Sequence, residues 1–212
     1  MLETELKYKL SPPEYYLLLR HFKSHPRKKV RQANYYFDTN QLILKAHRIG
    51  LRLRASGEKK ATLTIKFPHH SSKIRMKGLK IRKEIETRIS DRLFNAILEG
   101  EKRISDVAAV KALRQFLTEK ELHNLTLLGK LETTRTTVLL SPHFDLEIDR
   151  CKVFKRRFYE AEVETSRPRQ ADRLIRKLFK QCKIAYRPYE RSKMERFYVE
   201  WTRRKPKLRG ME

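Results

Sequence analysis

At two places far apart in the chain, charged residues recur at every second position: Glu3, Glu5 and Lys7 near the start, and Glu160, Glu162 and Glu164 much later. Successive side chains of an extended strand point to opposite faces, so residues i, i+2 and i+4 share one. In Glu3-Thr4-Glu5-Leu6-Lys7-Tyr8-Lys9-Leu10 one face is charged, and Leu2, Leu6, Tyr8 and Leu10 make the other. Phe158-Tyr159-Glu160-Ala161-Glu162-Val163-Glu164 repeats the pattern. Like charges set side by side on a sheet repel, so two such strands call for something positive between them. Clustered carboxylate oxygens suit Mg²⁺ or Mn²⁺, hard cations that take oxygen ligands.

The remaining charge is mostly positive. Lys and Arg number 51 against 25 Asp and Glu, a formal net charge of +26. A field of that size attracts polyanions: nucleic acid, polyphosphate, nucleotides or an anionic membrane surface. With 212 residues, 39% of them apolar, the chain can bury a proper core. Its longest apolar run, Tyr15 to Leu19, is too short to span a bilayer, and no secretory leader opens it. A cytoplasmic protein with no membrane partner is expected. Cys151 and Cys182 fit neither metal spacing nor a disulfide framework and read as reduced structural thiols.

Strands are expected over 2–10, 33–37, 48–54, 60–67, 77–89, 126–140, 144–150, 153–164 and 191–201. Helices follow Ser11-Pro12-Pro13-Glu14, which reads as a capping box, and occupy 91–99, 105–117 and about 168–183, with Ser90 and Ser105 as N-caps. His25 to Arg31 reads as a basic loop, Ser56-Gly57-Glu58 as a hairpin turn and Pro68 to Arg75 as a polar loop. One domain over 1–202 with a basic, disordered tail at 203–212 is expected.

Many alternating strands and few helices favour an antiparallel sandwich or barrel. Nearly every strand keeps one face densely charged with both signs. Arg48, Arg52 and Arg54 share a face, as do Thr62, Thr64 and Lys66, and Lys80, Arg82, Glu84, Glu86 and Arg88. Set across a lumen, these faces would form a charged tunnel with the apolar faces packed outward on helices. Bare buried charge is costly, so such a tunnel must hold water, metal ions and an anionic ligand.

In this order the strands resemble the triphosphate tunnel metalloenzymes, the CYTH superfamily. Glu3-Thr4-Glu5-Leu6-Lys7 is similar to the family's ExExK, Asn34-Tyr35-Tyr36-Phe37-Asp38-Thr39 to its YYFDT segment, and Leu51-Arg52-Leu53-Arg54 to its LRxR strand. Lys66, Arg82-Lys83-Glu84-Ile85-Glu86, Arg135, Leu146-Glu147-Ile148-Asp149-Arg150, Glu160 to Glu164 and Arg191-Ser192-Lys193-Met194-Glu195-Arg196 follow in sequence. ExExK alone is a weak signal in so charged a chain; the whole series in order is a strong one.

The resemblance implies an α+β fold: a closed antiparallel eight-stranded barrel, helices outside, binding a triphosphate within and hydrolysing it with Mg²⁺ or Mn²⁺. Metal would be held by Glu3, Glu5, Glu162 and Glu164. Arg52, Arg54, Arg82 and Arg135 offer planar forks for phosphate, and Lys7, Lys66 and Lys193 point charges. Glu160, Glu162 and Lys7 are the expected catalytic groups, Glu160 as a further ligand or water-positioning carboxylate. Glu84, Glu86 and Asp149 stand second, tuning arginines or carrying water and metal; for Glu84 and Glu86 cross-strand pairing with arginine is the plainer reading.

Inorganic or nucleoside triphosphate is the expected substrate, in a monomer or homodimer. An adenylate cyclase on the same fold is the alternative enzyme, and a non-catalytic polyphosphate or RNA clamp using the basic surface is the alternative outside enzymology. Thiamine triphosphate would want an aromatic cradle, and the sole Trp201 lies near the end. Tyr186 and Tyr189, flanking Pro188, read as packing at the barrel mouth or as a stack for an organic substrate. His69-His70 lacks companion ligands at metal spacing and reads as solvated loop. There is no GxxxxGK[ST] and no arguable Ser-His-Asp set.

Overall fold

The computed structural model describes residues 1–57, 60–69 and 76–204, with Lys60 described by its backbone alone. Glu58 of the expected hairpin turn, most of the expected 68–75 loop including His70, and the tail from Lys205 onward lie outside the described residues.

Eight strands close into one antiparallel barrel in the order β1-β5-β4-β3-β2-β6-β7-β8. They are β1 (Leu2–Leu10), β2 (Arg27–Asp38), β3 (Gly50–Ser56), β4 (Lys60–Pro68), β5 (Leu79–Ile89), β6 (Thr126–Ser141), β7 (Phe144–Val153) and β8 (Arg156–Glu164). The first strand closes the ring. On one side β1 pairs with β8, setting Glu5 opposite Glu164 and Lys7 opposite Glu162. On the other it pairs with β5 from Leu2 to Leu6 only. Beyond that point Gly78 and the 187–189 segment satisfy its edge: Lys7 N donates to Gly78 O (3.0 Å), Lys9 N to Arg187 O (2.9 Å), and Tyr189 N to Lys7 O (2.8 Å). Gly78 turns at φ +80, and a Cβ there would lie 2.7 Å from Lys7 O.

Apolar strand faces point outward, as their alternation requires. Leu51, Leu53, Leu63 and Ile65 pack under α2 (Ile43–Ala46), α3 (Asp91–Glu99), two 3₁₀ turns and α4 (Glu119–His123). Leu6, Tyr8, Ile148, Ala161 and Val163 pack under α1 (Pro12–His21) and α5 (Pro168–Gln181). The caps on Ser11 and Ser90 form as expected: Glu14 N bonds Ser11 Oγ at 3.4 Å, and Leu93 N bonds Ser90 Oγ at 3.2 Å.

Several expectations change. The stretch 191–201 is no strand: Lys193–Arg204 is helix α6, and Arg203 and Arg204 form its last turn rather than a tail. Ser192 and Glu195 cap it reciprocally, with Glu195 N on Ser192 Oγ at 3.2 Å and Ser192 N on Glu195 Oε2 at 2.5 Å. Met194, Phe197, Tyr198 and Trp201 recur at helical spacing, and this packing overrides the strand preference of Phe197-Tyr198-Val199. Removing the ninth strand leaves the eight of the barrel.

The expected helix at 105–117 is two 3₁₀ segments, Ile104–Asp106 and Ala108–Gln115, because extended Val107 (ψ 122) interrupts it; Ser105 sits inside the first and caps nothing. Arg27 to Arg31 is strand rather than loop, held by the threonine-rich run of β6. Arg48 precedes β3 in a left-handed conformation (φ 57).

Helix α6 stoppers one end of the barrel. Its Phe197 and Tyr198 pack with Tyr36, Leu131, Cys151, Val153 and Phe158, the inward-facing residues of β2, β6, β7 and β8 at that end. The Phe197 ring lies 4.8 Å from Tyr36 and 5.7 Å from Phe154, centroid to centroid. Among the described residues no helix is long and apolar enough to cross a membrane.

Candidate active site: a charged cavity inside the barrel

Above the stopper the barrel encloses a cavity of about 890 Å³. It is lined by the charged parity of the strands: Glu3, Glu5 and Lys7 of β1; Arg52 and Arg54 of β3; Lys66 of β4; Arg82, Glu84 and Glu86 of β5; Arg135 of β6; Glu147 of β7; and Glu162 and Glu164 of β8. Lys193 enters from the first turn of α6. Of the site residues named from sequence, Glu160 and Asp149 do not reach this lining. Both are fully buried one step deeper, 2.7 and 2.8 Å from the Lys193 ammonium.

Three zones divide the wall. In the deepest, cations surround acids. Lys7 Nζ lies 2.6 Å from Glu162, and Lys193 Nζ donates to Glu162 (2.6 Å) and lies at ion-pair distance from Glu160 and Asp149 (2.8 Å). Arg135 grips Asp149 through two bonds (2.9 and 2.6 Å), reaches Glu162 (2.7 Å) and also pairs with Glu147. Burial opposes the charge on Glu162, but Lys193, Lys7 and Arg135 outweigh it and hold the carboxyl well below its usual range. Burial wins at Glu160, raising it against Lys193 and Lys7. Asp149, Cys151 and Glu160 bring potential ligand atoms within 4.8 Å of one another. The Lys193 ammonium already pairs with both carboxylates by charge, at 2.7 and 2.8 Å, so this group holds a lysine. Cys151 and Cys182 are free thiols.

The second zone is acidic. Glu164 is pushed up by burial and by the charges of Glu3 and Glu5, with Lys66 opposing. Glu3 is raised by burial and by a hydrogen bond with Glu84, again against Lys66, which bonds it at 2.5 Å. Glu84 pairs across the sheet with Lys66, not with an arginine, and Glu86 accepts from Thr64 Oγ1 at 3.0 Å. Crowded carboxylates whose protons are held too tightly are a donor set that fits a hard divalent cation. Among the described residues no three of their oxygens close to within 4.8 Å. Such a set supplies one or two ligands and leaves the rest to water and phosphate oxygen, as Mg²⁺ prefers.

The third zone is cationic and uncompensated. Arg54 donates Nε to Asn34 Oδ1 (2.9 Å), and neither it nor Arg52 has a carboxylate partner among the described residues. Burial, then the charges of Arg52 and Arg135, lower Arg54 to about 9, which still leaves it protonated at neutral pH. Arg52 Nε and Asn34 Nδ2 are buried donors with no acceptor among the described residues. Buried donors of this kind are costly unless an acceptor arrives, and phosphate oxygens suit guanidinium forks.

Glu147 went without a role in the sequence reading. Its alternation with Asp149 along β7 was the available signal, and burial against the Arg135 charge pushes it up to about 7. Tyr186 is committed elsewhere, its hydroxyl 2.5 Å from Asp172 and its ring under Arg176 (3.7 Å) on α5.

The comparisons agree with this architecture. No curated protein sequence matches the chain. A putative adenylyl cyclase from Hippeastrum, described as having a dominant triphosphatase activity, superposes with a TM-score of 0.79 at 23% identity over 93% of this chain and 96% of its own. A putative adenylate cyclase from Bacillus halodurans gives 0.73 at 25% identity over 92% and 97%. A Pyrococcus horikoshii protein gives 0.57 at 18% over 93% and 99%. The model of the CYTH domain matches residues 1–198, nearly the whole barrel and the stopper, and the chain therefore belongs to the CYTH domain family.

Proposed function

We propose that the chain hydrolyses a triphosphate inside the barrel with the help of Mg²⁺ or Mn²⁺. One observation carries this reading: an acidic wall of Glu3, Glu5 and Glu164 shares a single cavity with uncompensated Arg52 and Arg54. A polyanion clamp has no use for the acids, and a bare metal site has no use for the arginines.

When bound at the acidic wall, the metal would neutralise phosphate charge and lower the pKa of the attacking water. The chain's own residues do the rest by position and field, as a loose phosphoryl-transfer transition state allows. Arg52, Arg54 and Arg82 hold the phosphates, and Lys66 balances charge between Glu3 and the substrate. Lys7 and Glu162 reach the lumen and orient the reacting phosphate and water. Glu160 acts through Lys193 as a positioning residue.

Phosphate and pyrophosphate release from inorganic triphosphate and ATP, with Mg²⁺, Mn²⁺ or chelator, tests the proposal beside Glu5→Gln. Metal-dependent orthophosphate is expected, reduced about a hundredfold or more in Glu5→Gln. Pyrophosphate and cyclic AMP from ATP, without orthophosphate, would instead establish the cyclase that similar structures are named for. Binding without turnover would leave the clamp.

A further inference from the structure

A second cavity of about 590 Å³ lies outside the barrel wall, between α6, the turn before β3 and the start of β5. Its floor is α6, with half-buried Met194 and Val199 beside buried Tyr198; its rim is cationic, with Lys45, Arg48 and Arg191. Its one carboxylate, Glu195, is spoken for by Lys80 Nζ (2.6 Å) and the Ser192 amide. Three residues, Arg48, Arg82 and Met194, line both this groove and the charged cavity. The left-handed turn at Arg48 places it at that junction, where Arg82 Nη1 donates to the Arg48 carbonyl at 3.3 Å.

The two spaces differ in chemistry. Within the barrel charged side chains dominate the lining. The groove offers apolar side chains beside guanidinium planes, which stack on flat aromatic rings, in a volume typical of small-ligand sites, about 300–1,000 Å³. A molecule spanning the junction is anionic at one end and flat and neutral at the other.

Resting on the triphosphate reading above, we infer that this groove holds the nucleoside of a nucleoside triphosphate whose phosphates lie in the barrel. The junction arginines sit between the two parts. The chain therefore prefers nucleoside triphosphates to inorganic triphosphate.

Two substitutions on α6 test this from outside the phosphate site: Val199→Glu, and Thr202→Glu at an exposed position that leaves the helix intact. KM and kcat are measured for ATP and for inorganic triphosphate, with equilibrium binding of each as an independent readout. Each variant is expected to weaken ATP about tenfold in KM and Kd, because the added side chain fills the groove and its carboxylate draws the rim guanidiniums off the ring, while triphosphate changes by less than about twofold. Equal losses on both ligands, or no loss on either, would overturn the inference. If the wild type binds both ligands and turns over neither, the hydrolase reading fails, and the ratio of the two dissociation constants still decides the groove.

Discussion

A carboxyl that titrates near neutrality inside a ligand cavity couples that cavity to pH, and Glu147 is such a group. Burial, resisted by Arg135, lifts it from 4.5 to about 7. Between those values the folded chain binds the proton and the unfolded chain does not, so stability falls as pH rises through this window. Glu147→Gln should flatten that slope, read as Tm against pH from about 5 to 8; an unchanged slope would place its source elsewhere. What the sequence discloses at this scale is parity. Backbone alternation puts Glu3, Glu5, Arg52, Arg54 and Glu164 on the inner face with no tertiary information. Depth along the strand is another matter. Glu160 and Glu162 share a face, yet one lies beneath Lys193 and the other reaches the lumen, because strand stagger and the reach of a lysine on a distant helix decide it.

Among the elements, α6 was the hardest to read. Phe197-Tyr198-Val199 favours a strand locally, and the helix exists because its apolar stripe finds Tyr36, Leu131 and Val153 at the barrel end. Asp38 ties that helix to the sheet. Its carboxylate accepts from Thr39 N (2.8 Å), Leu44 N (2.9 Å), Lys45 N (3.0 Å) and Tyr198 Oη (2.7 Å). Asp38→Ala strands four donors, three of them buried, and should cost about 3 kcal/mol, roughly 6–12 °C in Tm. Tyr198→Phe removes the helix's share alone and should cost about 1–2 kcal/mol. Calorimetry of the two variants separates the link to α6 from the α2 cap, and equal losses would show that the α2 bonds contribute nothing. The strands themselves were legible because each buries one face outward under helices. Their ends drifted where pairing with a longer neighbour extends them, as β6 extends β2.

At the scale of the whole molecule, Arg52 and Arg54 without carboxylate partners and crowded Glu3, Glu5 and Glu164 leave the ligand-free barrel carrying electrostatic strain. Triphosphate with Mg²⁺ at about a hundredfold excess over Kd should add about 2.7 kcal/mol, roughly 5–10 °C in Tm. Chelation should remove most of that gain, and a shift indifferent to metal would detach the acids from ligand binding. The net charge of +26 is also not confined to the lumen: Lys29 and Arg31 of β2, off the cavity lining, face threonines of β6 without acidic partners among the described residues. Polyphosphate binding should therefore fall steeply with salt, and replacing these two with glutamate should lower the slope.

The seam at β1 bears on how the molecule comes into being. The strand made first must wait for β8 and for the 187–189 segment before its edges are filled, a pairing of high contact order that forms late. Glu3 and Glu5 lie on one lip of that seam and Glu164 on the other. A chain truncated before β8 keeps Glu3 and Glu5 but lacks Glu164, so the three carboxylates come together only once the ring has shut.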